Sequence, residues 1–245
     1  METRVFETSL GQIWLRGEAT ALVDDRPVVL VIAGAFAPPE PFDLLQPYLP
    51  KAAVLVGHIP GNHCPNLVAN TPGVFMAAYS AAIAQLGRPT IVCGASLGGL
   101  VALGLRAPQV RGLLVLDPLN QTSGLNYAIP SFRAALGRRP AVDAVDLIWA
   151  VFGISATAVE ARSYVGVLKD LRTPTLCLVG ELPTGASKLP QPSIVTQADR
   201  ELLKAHPSIR LQVVPRAGHH LHTDAPDEVI AGIEHFLAPL LAEGC

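Results

Sequence analysis

Residues 90–101 constrain the fold of this chain more than any other stretch, and they read TIVCGASLGGLV. A β-branched and apolar run precedes Gly-Ala-Ser-Leu-Gly and a second apolar run follows it, which predicts a strand, a sharp turn and a helix. A serine at the tip of such a turn has a strained backbone, and side chains at Gly94 and Gly98 would collide with neighbouring chain. The helix that begins near Leu97 points free N–H groups toward Ser96. Ser96 is therefore a candidate nucleophile, unless this is only a glycine-rich turn that happens to contain a serine.

Short apolar runs recur along the rest of the chain at the spacing of strands. Continuous apolar runs are typical of strands buried on both faces of a parallel sheet, and they occur at residues 28–33, 53–56, 90–93, 112–116, 175–179 and 211–214. A partial alternation over residues 4–16 predicts a leading antiparallel hairpin. Helical patterns separate most of the runs, so we expect an α/β fold with a mostly parallel twisted sheet and helices on both faces.

Capping signals and periodicity predict where the helices lie. Thr71 is expected to cap a helix over residues 72–86, and the helix after Ser96 is expected to reach about residue 106. Asp224, with Asp227 at the capping-box position, predicts the start of a last helix that ends at residue 237.

The pattern changes after Asp117. Residues 119–168 read as helical, with amphipathic segments at 142–152 and 156–168. We interpret residues 119–168 as a small helical cap, and residues 1–118 and 169–245 as the core of one domain. The cap is rich in apolar side chains, which predicts an apolar substrate pocket.

Composition narrows the partners and the compartment. The 245 residues are 50% hydrophobic and 16% charged, with a net charge of −2 and no basic cluster longer than Arg138-Arg139. We therefore expect a small-molecule substrate rather than nucleic acid or a membrane surface, and the oligomeric state is left open. The four cysteines form no paired motif, and neither an apolar signal core nor an apolar run of 18 residues occurs. These features predict a soluble, cytoplasmic protein.

His219 is the candidate base. A serine hydroxyl is a poor nucleophile until a base takes its proton. His219 follows the last strand-like run and precedes the final helix, so it is expected on a loop at the carboxyl end of a strand. Ser96 is expected at the same edge of the sheet, which is where α/β folds place their sites.

The whole chain resembles the α/β-hydrolase fold superfamily, in particular its small-cap, esterase-like serine hydrolases. Four segments carry the resemblance in order: VVLVIAGAF at 28–36, HIPGNH at 58–63, GASLGG at 94–99 and RAGHHLHTDAPDEVIAGIEHFL at 216–237. The resemblance implies that Ser96 is the nucleophile and His219 the general base. It also implies that the backbone N–H groups of Ala35 and Leu97 form the oxyanion hole. Ala33 and His58 replace the family's usual histidine and aspartate, and neither replacement removes a catalytic group.

The catalytic acid stays open at this point. The family usually carries it within a few residues of the strand that reads TLCLVG here, but this chain continues with Glu181 and has no aspartate before Asp199. Asp117 ends the preceding strand, a position from which some members of the superfamily supply the acid. The candidates are Asp117, Glu181 or no working acid.

Four further residues are candidates for substrate contact, namely Phe36, His58, Trp149 and His220. His219, His220 and His222 together invite a metal site, but no second cluster with ligand spacing accompanies them, so we expect neither a metal nor a cofactor.

These features predict a serine hydrolase that cleaves an ester, thioester or lactone through an acyl-enzyme on Ser96. Acyl transfer and perhydrolysis would use the same residues. The alternative is a ligand-binding protein, or an enzyme that uses His219 for cyclisation, isomerisation or elimination without an acyl-enzyme.

Overall fold

The computed structural model describes residues 1–37, 40–60, 64–137, 142–181 and 191–243. In these ranges the chain forms a single sheet with the strand order β1-β2-β4-β3-β5-β6-β7-β8. The strands are β1 (Glu2–Thr8), β2 (Gly11–Gly17), β3 (Val28–Ile32), β4 (Ala53–Gly57), β5 (Thr90–Ala95), β6 (Val110–Leu116), β7 (Thr175–Gly180) and β8 (Ile209–Val214). β1 and β2 form the predicted antiparallel hairpin, β2 is antiparallel to β4, and all other neighbours are parallel.

Helices alternate with the parallel strands, as the sequence predicts. They are α1 (Pro72–Leu86), α2 (Leu97–Leu103), α3 (Ile129–Gly137), α4 (Val142–Leu147), α5 (Gln197–Ala205), α6 (Leu221–Asp224) and α7 (Pro226–Glu243). Short 3₁₀ segments cover Glu40–Tyr48, Thr122–Ala128 and Val165–Asp170, and a π-helical turn covers Ile148–Phe152. None of the helices within the described ranges is both long and apolar enough to span a membrane.

The central strands are apolar throughout because each contributes to two cores. Alternate residues of a strand point to opposite faces, so Val28, Leu30 and Ile32 of β3 join one buried cluster while Val29 and Val31 join the other. The first cluster lies against α1 and α2, and the second against α7. The predicted mostly parallel sheet with helices on both faces is confirmed.

The cap differs from the prediction in one stretch. Residues 142–152 are helical, but residues 156–164 are not: Ile154 pairs with Val159 and Gln121 pairs with Ser163 in short bridges. Gly153 ends the helix in the left-handed conformation at φ 66°. The Ser155 hydroxyl then accepts hydrogen bonds from nearby backbone N–H groups, which favours a turn over a helix. The cap instead contains α3, which the pattern did not single out.

The cap predicted at Thr71 is confirmed in position, and the cap predicted at Asp224 is wrong. Thr71 occupies the N-cap position of α1, but its side chain makes no capping hydrogen bond. Asp224 is the last residue of α6 rather than the N-cap of the final helix, and its carboxylate accepts a hydrogen bond from the Gly218 N–H at 2.8 Å. The Asp224 side chain therefore braces the loop that carries His219.

Candidate active site

The turn between β5 and α2 has the close approaches expected from the sequence. Ser96 lies at the tip of this turn with φ 54° and ψ −117°, a backbone conformation that residues other than glycine rarely adopt. A Cβ atom on Gly98 would lie 2.1 Å from the Ile32 carbonyl oxygen, and one on Gly94 would lie 2.3 Å from the Gly98 carbonyl oxygen. Only glycine fits at both positions, so the backbone presents Ser96 at the carboxyl edge of the sheet.

The two N–H groups of the expected oxyanion hole belong to residues near Ser96. Leu97 is the first residue of α2, so its N–H has no acceptor inside the helix. Ala35 follows Gly34, where an added Cβ would lie 3.3 Å from the Ser96 Cβ, so the turn after β3 passes close to the serine. The Ala35 N–H donates to no acceptor within the described part of the chain. Both donors are thus available to a bound oxygen near Ser96.

Asp117 and His219 are in direct contact. The Asp117 Oδ2 lies 2.7 Å from the His219 Nδ1, and the carboxylate is fully buried. An ionised carboxylate only accepts hydrogen bonds, so this contact assigns the proton to Nδ1 and leaves Nε2 as the acceptor. That tautomer is the one that a general base needs.

Ser96 and His219 both line the same cavity. Among the hydrogen bonds of the described residues, none joins the Ser96 hydroxyl to the His219 ring. Hydrogen bonds between a nucleophile and its base are often long in structures without substrate and tighten when substrate binds.

Glu181 lies elsewhere. Its carboxylate is exposed and accepts a hydrogen bond from the Arg216 N–H at 2.7 Å. Its own N–H donates to the Ala217 carbonyl oxygen at 2.9 Å. Of the two carboxylates that the sequence left open, Asp117 is the one that contacts His219, and Glu181 instead supports the start of the loop that carries it.

Backbone contacts hold the His219 loop in place. The His219 N–H donates to the Gln191 carbonyl oxygen at 3.0 Å, and a Cβ on Gly218 would lie 2.2 Å from that same oxygen. The loop therefore needs glycine at position 218, because residue 191 passes directly against it.

A cavity of about 630 Å³ opens at Ser96 and His219. Its walls come from the turn after β3, from the cap and from the His219 loop, and the lining residues are Ala35, Phe36, Ser96, Leu125, Tyr127, Ala128, Ser131, Phe132, Ala135, Ala144, Ile148, Phe152, Gln191, His219 and His220. Among these described residues there is no Lys, Arg, Asp or Glu. The predicted apolar pocket beneath the cap is therefore present.

Two titratable groups on the wall, His220 and Tyr127, favour their neutral forms. Burial lowers the pKa of His220, and the neighbouring His219 adds to the effect. Burial raises the pKa of Tyr127, and the nearby Asp117 carboxylate acts in the same direction. The cavity therefore presents an apolar surface with a few neutral hydrogen-bonding groups.

Two of the four expected substrate contacts line the cavity, namely Phe36 and His220. The other two, Trp149 and His58, are not among the described lining residues. Trp149 is exposed, and the Arg162 guanidinium lies 5.3 Å from its ring centroid. Ile148 and Phe152, which are one helical turn apart, lie on the cavity side of the helix, so Trp149 points elsewhere. The His58 carbonyl accepts a hydrogen bond from the Tyr79 hydroxyl.

The neighbouring histidine rings pack against one another at tilted and edge-on angles. The His220 ring lies 5.3 Å from His219 and 5.8 Å from His222, and His222 packs at 4.9 Å against Phe42. Among the residues that the structure describes, no group of three or more His, Cys, Asp or Glu side chains is arranged to hold a metal ion.

Two residues that the sequence analysis did not single out lie behind Asp117. The Ser193 hydroxyl donates to Asp117 Oδ1 at 2.6 Å, and the buried Arg200 guanidinium reaches that hydroxyl at 3.2 Å. No local motif in the sequence marks this arrangement, because Arg200 is one of several charged residues in the QADRELLKA segment of α5.

Comparison with known proteins fits this geometry. A family model described as the alpha/beta hydrolase family matches residues 28–232. The chain belongs to this family. No curated protein matches the sequence.

Solved α/β-hydrolases share the fold over nearly their whole length. Carboxylesterase CesB (YbfK) from Bacillus subtilis is 18% identical with a TM-score of 0.69, over 97% of this chain and 92% of that chain. A thermophilic esterase from Thermogutta terrifontis, solved with malate bound, is 18% identical with a TM-score of 0.65, over 98% and 99%. The N-acyl homoserine lactonase AidH, solved as a mutant with N-hexanoyl homoserine, is 17% identical with a TM-score of 0.64, over 96% of each chain. At these identities the likeness establishes the fold alone.

Proposed function

We propose that this α/β-hydrolase is a serine hydrolase that cleaves an ester, thioester or lactone of an uncharged, largely apolar small molecule. The observation that carries the proposal is the 2.7 Å contact between Asp117 and His219 at the cavity that Ser96 also lines. This contact holds the imidazole in the tautomer that can accept the Ser96 proton.

In the proposed mechanism the Ser96 Oγ attacks the substrate carbonyl carbon while His219 Nε2 takes the hydroxyl proton. The oxyanion that forms accepts hydrogen bonds from the Leu97 and Ala35 N–H groups. His219 then returns the proton to the leaving oxygen or sulfur as the bond to the acyl carbon breaks. Water repeats the sequence on the acyl-enzyme, giving a carboxylic acid and free Ser96.

The test combines a fluorophosphonate probe with a panel of p-nitrophenyl esters, applied to the wild type and to Ser96→Ala. We expect the probe to label the wild type at Ser96 and the wild type to hydrolyse the neutral esters. Ser96→Ala should lose the labelling and almost all of the turnover. An unlabelled wild type without esterase activity would contradict the proposal.

A second candidate function is motivated by Ala33, which stands in place of the family's usual histidine just before the proposed oxyanion turn. In it, His219 shuttles protons in a cyclisation, isomerisation or elimination, or the cavity only binds a ligand, and no acyl-enzyme forms. It expects ligand binding or conversion to survive Ser96→Ala, so the same pair of proteins separates the two candidates.

A further inference from the structure

We infer that Ser193 and Arg200 are positioning residues, which hold the Asp117 carboxylate so that one of its oxygens faces His219. The inference rests on the proposed function, because it assigns these residues to the support of the proposed acid. Neither side chain is among the residues that line the cavity. They act through Asp117 and not on the substrate.

The direction of the Ser193 hydrogen bond follows from its neighbours. The Ser193 Oγ lies 3.2 Å from the Val195 N–H and 3.2 Å from the Arg200 Nη2. Both groups only donate, so the hydroxyl oxygen accepts from both. Its own hydrogen then points to Asp117 Oδ1, 2.6 Å away. A hydroxyl that accepts from a cation is polarised and donates more strongly.

Arg200 joins the pieces of chain that surround Asp117. Its Nη2 also donates to the Gly180 carbonyl oxygen at 2.5 Å, and its Nε donates to the Val195 carbonyl oxygen at 3.2 Å. The side chain is buried, with 7% of the residue exposed. Burial lowers the pKa of Arg200, and the nearby Asp117 carboxylate opposes that shift.

Among the described residues, four donors surround Asp117 and divide between its two oxygens. Oδ1 accepts from the Ser193 hydroxyl and from the Gly180 N–H at 3.3 Å. Oδ2 accepts from the Ile194 N–H at 2.8 Å and from His219. The donors on Oδ1 fix the rotation of the carboxylate, and that rotation aims Oδ2 at the His219 Nδ1. Without the Ser193 hydroxyl, Oδ1 keeps the longer bond from the Gly180 N–H, so the carboxylate turns more easily and holds His219 less firmly.

The experiment compares Ser193→Ala, which removes only the oxygen, with Ser193→Thr, which keeps the hydroxyl. Losing a hydrogen bond to a charged group should lower kcat by about tenfold to a hundredfold, with little change in KM. Ser193→Thr should restore most of the lost kcat. Ser208→Ala is the matched control, because its hydroxyl lies near the Leu171 carbonyl oxygen and away from Asp117, and it should leave kcat unchanged. Active-site titration corrects each rate for the folded fraction.

A second readout does not need turnover. A histidine Nδ1 proton bonded to a carboxylate gives a low-field proton NMR signal, which His219→Gln should remove. We expect Ser193→Ala to shift or broaden this signal and Ser193→Thr to retain it. The inference is overturned if Ser193→Ala leaves the signal intact. It is also overturned if the wild type hydrolyses esters and Ser193→Ala retains the wild-type kcat. A wild type that lacks esterase activity but shows the Ser193-dependent signal would defeat the proposed function and keep the positioning role.

Discussion

At the scale of single residues, Asp117 combines a strained backbone with a fully buried carboxylate. It follows β6 with φ 45°, a strained conformation for a residue with a side chain. Burying a carboxylate is costly unless donors replace the lost water. Here the Gly180 and Ile194 N–H groups, the Ser193 hydroxyl and His219 provide those donors. Strain and burial are both tolerated because the surrounding chain is built to receive this one carboxylate.

The first prediction concerns the choice of acid. Asp117→Asn should lower kcat by about 10³- to 10⁴-fold, because an amide cannot hold the productive imidazole tautomer as a carboxylate does. Glu181→Gln is the matched control and should lose little, since Glu181 contacts the Arg216 N–H and not His219. Steady-state hydrolysis of a neutral p-nitrophenyl ester measures both. A larger loss in Glu181→Gln than in Asp117→Asn would reverse the assignment.

The second prediction concerns stability against pH. Burial lowers the pKa of His222 below its ordinary value of 6.5, and the neighbouring histidines add to the effect. Below that ordinary value the unfolded chain therefore binds more protons than the folded one, so stability should fall as the pH falls.

His222→Phe tests this dependence, because it keeps an aromatic ring against Phe42 but cannot be protonated. Urea unfolding at about pH 7.5 and about pH 5.5 should show a smaller loss of stability in His222→Phe than in the wild type. An equal loss in the two proteins would remove His222 as a cause.

At the scale of elements, the cap and the turn after β3 meet in an aromatic cluster. The ring centroid of Phe36 in the turn lies 6.3 Å from those of both Phe132 and Phe152. The ring centroids of these two cap residues lie 5.0 Å apart. The contact links the residue next to the proposed oxyanion donor Ala35 to α3 and to the π-helical turn of the cap. Phe152 also lines a second pocket of about 170 Å³, so it stands between the two spaces.

The third prediction follows from this position. Phe152→Ala should open additional apolar volume and shift the preference toward esters with longer acyl chains. It should also cost about 3 to 5 kcal/mol of stability, as for other buried phenylalanines. Profiles of kcat/KM against acyl chain length, with urea unfolding, measure the two effects. Phe236→Ala, which removes a ring packed near Gly112 and away from the cavity, should lower stability without moving the chain-length profile.

At the scale of the whole molecule, strand register assembles the site. Ala95 of β5 pairs with Leu116 of β6, so Ser96 and Asp117 leave the sheet side by side. β8 lies two strands beyond β6 and supplies the loop that carries His219 back across this edge. The cap, which lies between β6 and β7 in the chain, closes the same edge with apolar side chains. The carboxyl edge of the sheet thus carries Ser96, Asp117 and His219, and the apolar side chains of the cap cover it.

The fourth prediction tests the uncharged cavity. A p-nitrophenyl ester whose acyl chain ends in a carboxylate should have a kcat/KM at least about tenfold below that of its neutral methyl ester, because the described walls offer the buried carboxylate no Lys or Arg side chain. The methyl ester matches the acid in length and differs in charge. Equal kcat/KM values for the two would show that the cavity accommodates an anion.

The local features of this fold could be predicted from sequence because they depend on short-range sterics. The paired glycines around Ser96 reflect backbone approaches within a few residues, and the apolar strand runs reflect burial on two faces. The sequence therefore determined the α/β fold and the position of Ser96. The helix predicted from the sequence over residues 156–164 does not form, because Gly153 and Ser155 just before it favour a turn and the apolar periodicity is weak.

Only the tertiary structure decided which groups meet at Ser96. Asp117 and Glu181 end neighbouring parallel strands at the same edge, so sequence position alone could not choose between them. The contact of Asp117 with His219 spans 102 residues and that with Ser193 spans 76 residues. Contacts over such distances depend on strand register and on which backbone N–H groups face a carboxylate, and no local pattern encodes either. The position of Ser96 therefore followed from its neighbours in sequence, whereas the pairing of Asp117 with His219 followed from the packing of the whole sheet.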